Sequence, residues 1–160
     1  MEQVDITKTL EELEGEGWSE PVFSSGLVVR SHELRKKPLN EFNLEDLRLL
    51  ILLQTSLDIL LPLALERLAE NPLQYGDLYV GDLFCSILRV DKEYWENNIE
   101  IKNELDEVIR IYENARETVD NYIQEAGTSH NVIFTLQGLR SLVARCIIIE
   151  EDNSDAHEPT

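Results

Sequence analysis

Apolar residues recur at spacings of three and four along most of this chain, a rhythm that predicts helices. The clearest stripe joins Ile101, Leu105, Val108, Ile109, Tyr112, Ala115, Val119, Tyr122 and Ile123, with Asn103, Glu107, Arg110, Asn114 and Asn121 on the far side. It belongs to a charged segment over 92–126, with Asp91 as its cap and Gly127 as its stop. A second pattern, Leu44, Leu47, Leu50 and Ile51, follows Asn43 as N-cap, with Glu45 and Asp46 in the first turn, where the helix dipole favours acids. Pro62 predicts either a kink in that helix or the opening of another, which then runs through Leu63, Leu65 and Leu68 to Asn71 and Pro72. Ser24 or Ser25 can cap a short helix through Leu34, closed by Lys36 and Lys37 before Pro38. A strand over 27–30 is the alternative there. Residues 74–82, QYGDLYVGD, form a turn-rich connector; Gly81 or Asp82 then precedes the run LFCSILRV, and Ser129 or Asn131 begins a last helix, VIFTLQGLRSLVARCIII.

These elements make a mainly α protein, a single-domain helical bundle of roughly five or six helices. The helical domain spans 23–149, after an irregular N-terminal segment, 1–22, interrupted by Gly15, Gly17 and Pro21. The tail at 150–160, EDNSDAHEPT with the acid before it, has no core-forming residue and is expected to be disordered. The expected core contains Leu47, Leu50, Ile51, Leu61, Leu65, Leu68, Leu83, Ile87, Leu105, Ile109, Tyr112 and Leu139.

Composition narrows the class. With 160 residues, 42% of them hydrophobic, the chain has enough apolar material for one core, which excludes disorder as the main description. The most apolar stretch, 49–65, is interrupted by Gln54, Thr55, Ser56, Asp58 and Pro62, so it reads as core and not as a bilayer span. The acidic opening, MEQVDITKTLEELEGEG, has no apolar export signal, and the expectation is a cytoplasmic protein. Cys85 and Cys146 both lie in apolar runs and read as buried thiols; a disulfide between them stays open.

Charge changes the picture more. The net charge of −18 repels phosphate backbones and excludes direct nucleic-acid binding as the expected role. It exceeds the magnitude of roughly 2–8 that keeps a small domain soluble. An acidic surface also attracts a basic partner and speeds the encounter. A binding module for a basic macromolecule is the leading class on these grounds.

Candidate chemistry is sparse. His32, His130 and His157 fall in no metal-ligand spacing, neither cysteine has a CxxC partner, and no glycine pattern fits a phosphate loop. No catalytic, cofactor-binding or metal-binding residue is expected. A nucleophile pair of Cys85 or Cys146 with His130 is disfavoured, because both thiols sit on apolar faces. Asp77 and Asp82 stand out on the connector. As local structure they would make an Asx turn and a helix cap; as surface they would meet a partner. The candidate partner-binding residues are Tyr75, Asp77, Tyr79 and Asp82 on the connector and Glu100, Glu104 and Glu107 on the long helix, the tyrosines as aromatic anchors.

Two strings carry something more specific: LVVRSHELRKKPLNEFNLEDLRLLI (27–51) and LPLALERLAENPLQYGDLYVGDL (61–83). Preceded by Leu13-Glu14-Gly15, Trp18 and Pro21, they present in order an LRKKPL end at 34–39, LRLLI at 47–51, PLALE at 62–66, NPL at 71–73 and a Gly-Asp-x-Tyr-x-Gly-Asp-Leu turn at 76–83. This ordered series resembles the immunity proteins of contact-dependent growth inhibition (CDI). The family's LRLLI commonly continues with Gly-Gln, whereas Leu52 and Leu53 here precede Gln54; its usual proline before Gly-Asp-Leu is Val80. The resemblance implies a cytoplasmic, non-enzymatic inhibitor, without cofactors, that binds the basic C-terminal toxin domain of a CDI exoprotein 1:1. Many such toxins are nucleases, so carboxylates would lie where phosphates bind; binding away from the active site is the other geometry. Beside this stand an acidic regulatory or adaptor protein for another basic cytoplasmic partner, and a hydrolase built on carboxylates.

Overall fold

The computed structural model describes residues 4–19, 25–74, 76–79 and 81–126. Seven α-helices form among them: α1 (Leu10–Glu14), α2 (Gly26–Arg35), α3 (Leu44–Leu52), α4 (Leu57–Glu70), α5 (Asp82–Ile87), α6 (Lys92–Asn97) and α7 (Ile99–Ala126). A 3-10 turn, Leu39–Glu41, joins α2 to α3. The protein is mainly helical, as expected, and 27–30 is helix, not strand. Leu139, Cys146, His130, His157, the last expected helix and the tail lie outside the described residues.

The starts of α2 and α3 follow the predicted caps. Ser25 Oγ accepts from the Val28 N–H at 3.3 Å. Asn43 and Asp46 form a reciprocal capping box, Asn43 Oδ1 accepting from Asp46 N–H at 2.8 Å and Asp46 Oδ2 from Asn43 N–H at 3.2 Å. Asp46 is buried, and its carboxylate also accepts from Arg30 and Lys37, both at 2.7 Å. The described part of the N-terminal segment contains α1, whose Thr9–Glu12 capping box and left-handed Gly15 fix both ends.

The structure departs from the periodicity in three places. The break between α3 and α4 falls before Pro62: Gln54 and Ser56 take left-handed backbone (φ 56° and 52°), and Pro62 sits inside α4. Pro62 has no N–H for the Asp58 carbonyl, and α4 nonetheless continues past it to Glu70. The 92–126 segment breaks at Asn98, so Asp91 precedes a six-residue helix and not the long one, and it makes no side-chain cap bond there. Arg35, charged and in a helix's last turn, is buried: it donates to Glu14 Oε2 (2.5 Å), the Glu16 carbonyl (3.2 Å) and Ser56 Oγ (3.2 Å), and lies 4.3 Å from the Trp18 ring centre. It ties α1, α2 and the α3–α4 connection together, although its Nε finds no hydrogen-bond partner.

The core lies where α3 packs on α5 and α4 on α7, with α6 against α7 and α2 against α3. Eleven of the twelve expected core residues are described, and all are buried. A T-shaped pair, Phe84 with Tyr112 (5.8 Å), couples α5 to α7.

Candidate partner-binding surface

The connector before α5 is built around one carboxylate. Asp82 is 1% exposed. Its Oδ1 accepts from the N–H groups of Gly76 (3.1 Å) and Leu83 (2.8 Å), and its Oδ2 from Leu78 (3.1 Å) and, more weakly, Tyr79 (3.5 Å). Buried backbone donors need partners, and here one acid at the first position of α5 supplies them to the preceding loop. The glycines follow from that arrangement. A Cβ on Gly76 would lie 2.4 Å from Asp82 Oδ1, and Gly81 holds φ +76° just before the helix. The Gly81 N–H closes the loop on the Gln74 carbonyl at 3.0 Å. The repeated Gly-Asp pattern is therefore a self-satisfied turn. Asp77 and Leu78 stand exposed on it, Tyr79 is half-buried, and Tyr75 lies outside the described residues. Burial leaves Asp82 no surface to offer a partner.

The long helix treats its acids differently. Ile101, Leu105, Val108, Ile109 and Tyr112 face the core, which turns Glu100 and Glu107 to solvent and leaves Glu104 on the flank. Spaced four and three apart, these three glutamates share one face. Glu107 pairs with Arg110, also exposed, and Lys102 with Asp106 at 3.2 Å. Partial burial raises the Glu104 carboxyl above its ordinary range. The structure thus groups Asp77, Tyr79 and Asp82 in one loop and Glu100, Glu104 and Glu107 on one helix face. No hydrogen bond or ion pair joins the two sets among the described residues.

A third feature was not anticipated from the sequence. Residues 6–9 run beside the 3-10 turn, with Leu39 N–H donating to the Lys8 carbonyl (3.0 Å) and Asn40 N–H to that of Ile6 (2.8 Å). Between this ribbon and α4 opens a groove of about 680 Å³, walled by Val4 and Ile6 and floored by Leu39, Phe42, Leu47, Pro62 and Leu63. Asn40, Asp58, Glu66 and Arg67 line it as polar positions. Asp58 Oδ1 accepts from the Tyr94 hydroxyl at 2.7 Å; burial first, and this bond second, push the Tyr94 phenol well above its ordinary range. The advance signal was Val4 and Ile6, apolar residues within the acidic opening and ahead of α1.

Cys85 is buried, and burial raises its thiol, which opposes a thiolate nucleophile. Among the described residues no group of three His, Cys, Asp or Glu is placed to hold a metal ion, and no helix is long and apolar enough to cross a membrane.

Residues 12–105 match the family model described as CDI immunity proteins, a span that takes in the Asp82 turn and the first glutamates of α7. No curated protein and no solved structure gives a significant match.

Proposed function

The chain belongs to the CDI immunity proteins, a family whose role is protection against a CDI toxin, and from that premise we propose that it neutralises its cognate toxin by binding, without turnover. The partner in this reading is the basic C-terminal toxin domain of a CDI exoprotein, held 1:1 in the cytoplasm, and the toxin is a nuclease whose active site is occluded. The family match carries the reading; the net charge of −18 supports its electrostatic part.

The mechanism follows from what a nuclease must expose. A cleft that binds phosphates is lined by cations, and exposed carboxylates on a rigid helix can occupy the same field. Glu100 and Glu107, with Glu104 beside them, supply such a row, and Asp77 a second acidic point. Asp82 acts indirectly, by holding the loop that carries Asp77. Tyr79 is half-buried and offers an edge at most, and a contact by Tyr75 remains part of the proposal.

Titration tests this directly. Purified toxin domain should lose its nuclease activity in proportion to added protein and reach zero at equimolar amounts, while the protein alone cleaves nothing. Full toxin activity at a twofold excess would contradict the reading.

A further inference from the structure

We propose that the groove between the 6–9 ribbon and α4 is the anchor pocket of the toxin interface, taking an apolar side chain of the toxin flanked by a basic one. This rests on the immunity reading above and names where its affinity resides. The glutamates of α7 can steer an approaching cationic surface, but ion pairs between exposed side chains add little to affinity. Tight interfaces are anchored where apolar groups enter a pocket and lose their water.

The groove has the required parts. Its floor is built from Leu39, Phe42 and Leu63. Its wall includes Ile6, an aliphatic side chain left 44% exposed. Backbone hydrogen bonds from Leu39 and Asn40 hold that wall, so a ligand need not order it on binding. The charge at the rim specifies the occupant. Glu66 is exposed and makes no hydrogen bond or ion pair among the described residues, and Asp58 spends one oxygen on Tyr94. Against the single cation Arg67 in the lining, these two acids favour a lysine or arginine at the rim, beside the apolar side chain that takes the floor.

Calorimetry and stopped-flow kinetics of the full chain with its cognate toxin domain test the inference, using Glu66→Lys and Ile6→Glu as groove variants and Glu107→Lys as a control on α7. The groove variants should each raise Kd at least ~10-fold, mostly through faster dissociation, with melting temperatures within ~2 °C of the parent. Glu107→Lys should act mainly on the association rate. If Ile6→Glu fails to fold, Glu66→Lys, on an exposed position, decides alone. Unchanged affinity in the folded groove variants overturns the anchor and leaves the immunity reading standing. No binding by the parent chain overturns that reading and the anchor with it. A large fall in melting temperature with both variants, or a parent dimer that they dissociate, overturns the anchor by assigning the groove to the chain itself or to a second copy.

Discussion

The loop at 76–83 and the first turns of α7 are both acidic, and they use their acids in opposite ways. In the loop, Asp82 is turned inward and satisfies backbone N–H groups that would otherwise be stranded. On α7 the apolar stripe fixes the rotation of the helix, and Glu100 and Glu107 are left facing water. The difference lies in the neighbours. Glycines at 76 and 81 let backbone close around a carboxylate, whereas beyond its first turn a continuous helix satisfies its own backbone and has no donors for one. An acid whose carboxylate is turned onto the N–H groups of its own turn, as Asp82 is, is therefore a poor candidate for recognition, and an acid opposite an apolar stripe a better one.

The largest expected effect breaks the loop. Asp82→Ala should cost about 3 kcal/mol in chemical denaturation, because it takes the acceptor from two buried and two part-buried N–H groups at once. Asp77→Ala, five residues away and exposed, should cost less than ~0.5 kcal/mol. Equal costs would show that the two acids are not distinguished by burial. Next in size is Gly76→Ala, whose methyl would press on the Asp82 carboxylate; a loss of roughly 1–3 kcal/mol is expected. It should shrink in the Asp82→Ala background, since the group it strikes has gone.

Much of this contrast was readable in advance, and the unread part has a common origin. Helix rotation, the caps at Ser25 and Asn43, and the buried faces of α3, α4 and α7 depend on neighbours three or four residues apart, which the sequence displays. The inward turn of Asp82 was half visible, as a local structural alternative to a binding role. The left-handed Gln54 and Ser56, the burial of Arg35 and the groove depend on residues distant in the chain. Arg35 reaches Glu14 and Ser56, each 21 positions away, and periodicity cannot report such a contact. The break at Asn98 was hidden for another reason: the helical pattern of 92–126 resumes in phase closely enough to read as one helix.

A smaller effect sharpens the α7 side. The folded protein raises the Glu104 carboxyl above its ordinary 4.5, by burial. An acid raised on folding binds protons more readily in the native state, so it favours stability at low pH, and that contribution is lost as pH rises from 4.5 through its folded value. Glu104→Gln should therefore melt slightly higher than the parent at pH 7, by no more than ~2 °C, and the gap should close below pH 4.5. A variant less stable at pH 7 would mean that Glu104 gains more from a partner than it loses to burial.

The central claim is that the outward acids, and not the buried ones, meet the toxin's charge. The direct measurement is the stopped-flow association rate with the cognate toxin domain between about 0.05 and 0.5 M salt, for the parent and for Glu100→Lys/Glu107→Lys. The account predicts that the parent rate falls by at least ~10-fold across that range while dissociation changes little, and that the double variant starts slower with a flatter dependence. A parent rate independent of salt, or a double variant that follows the parent throughout, would contradict it.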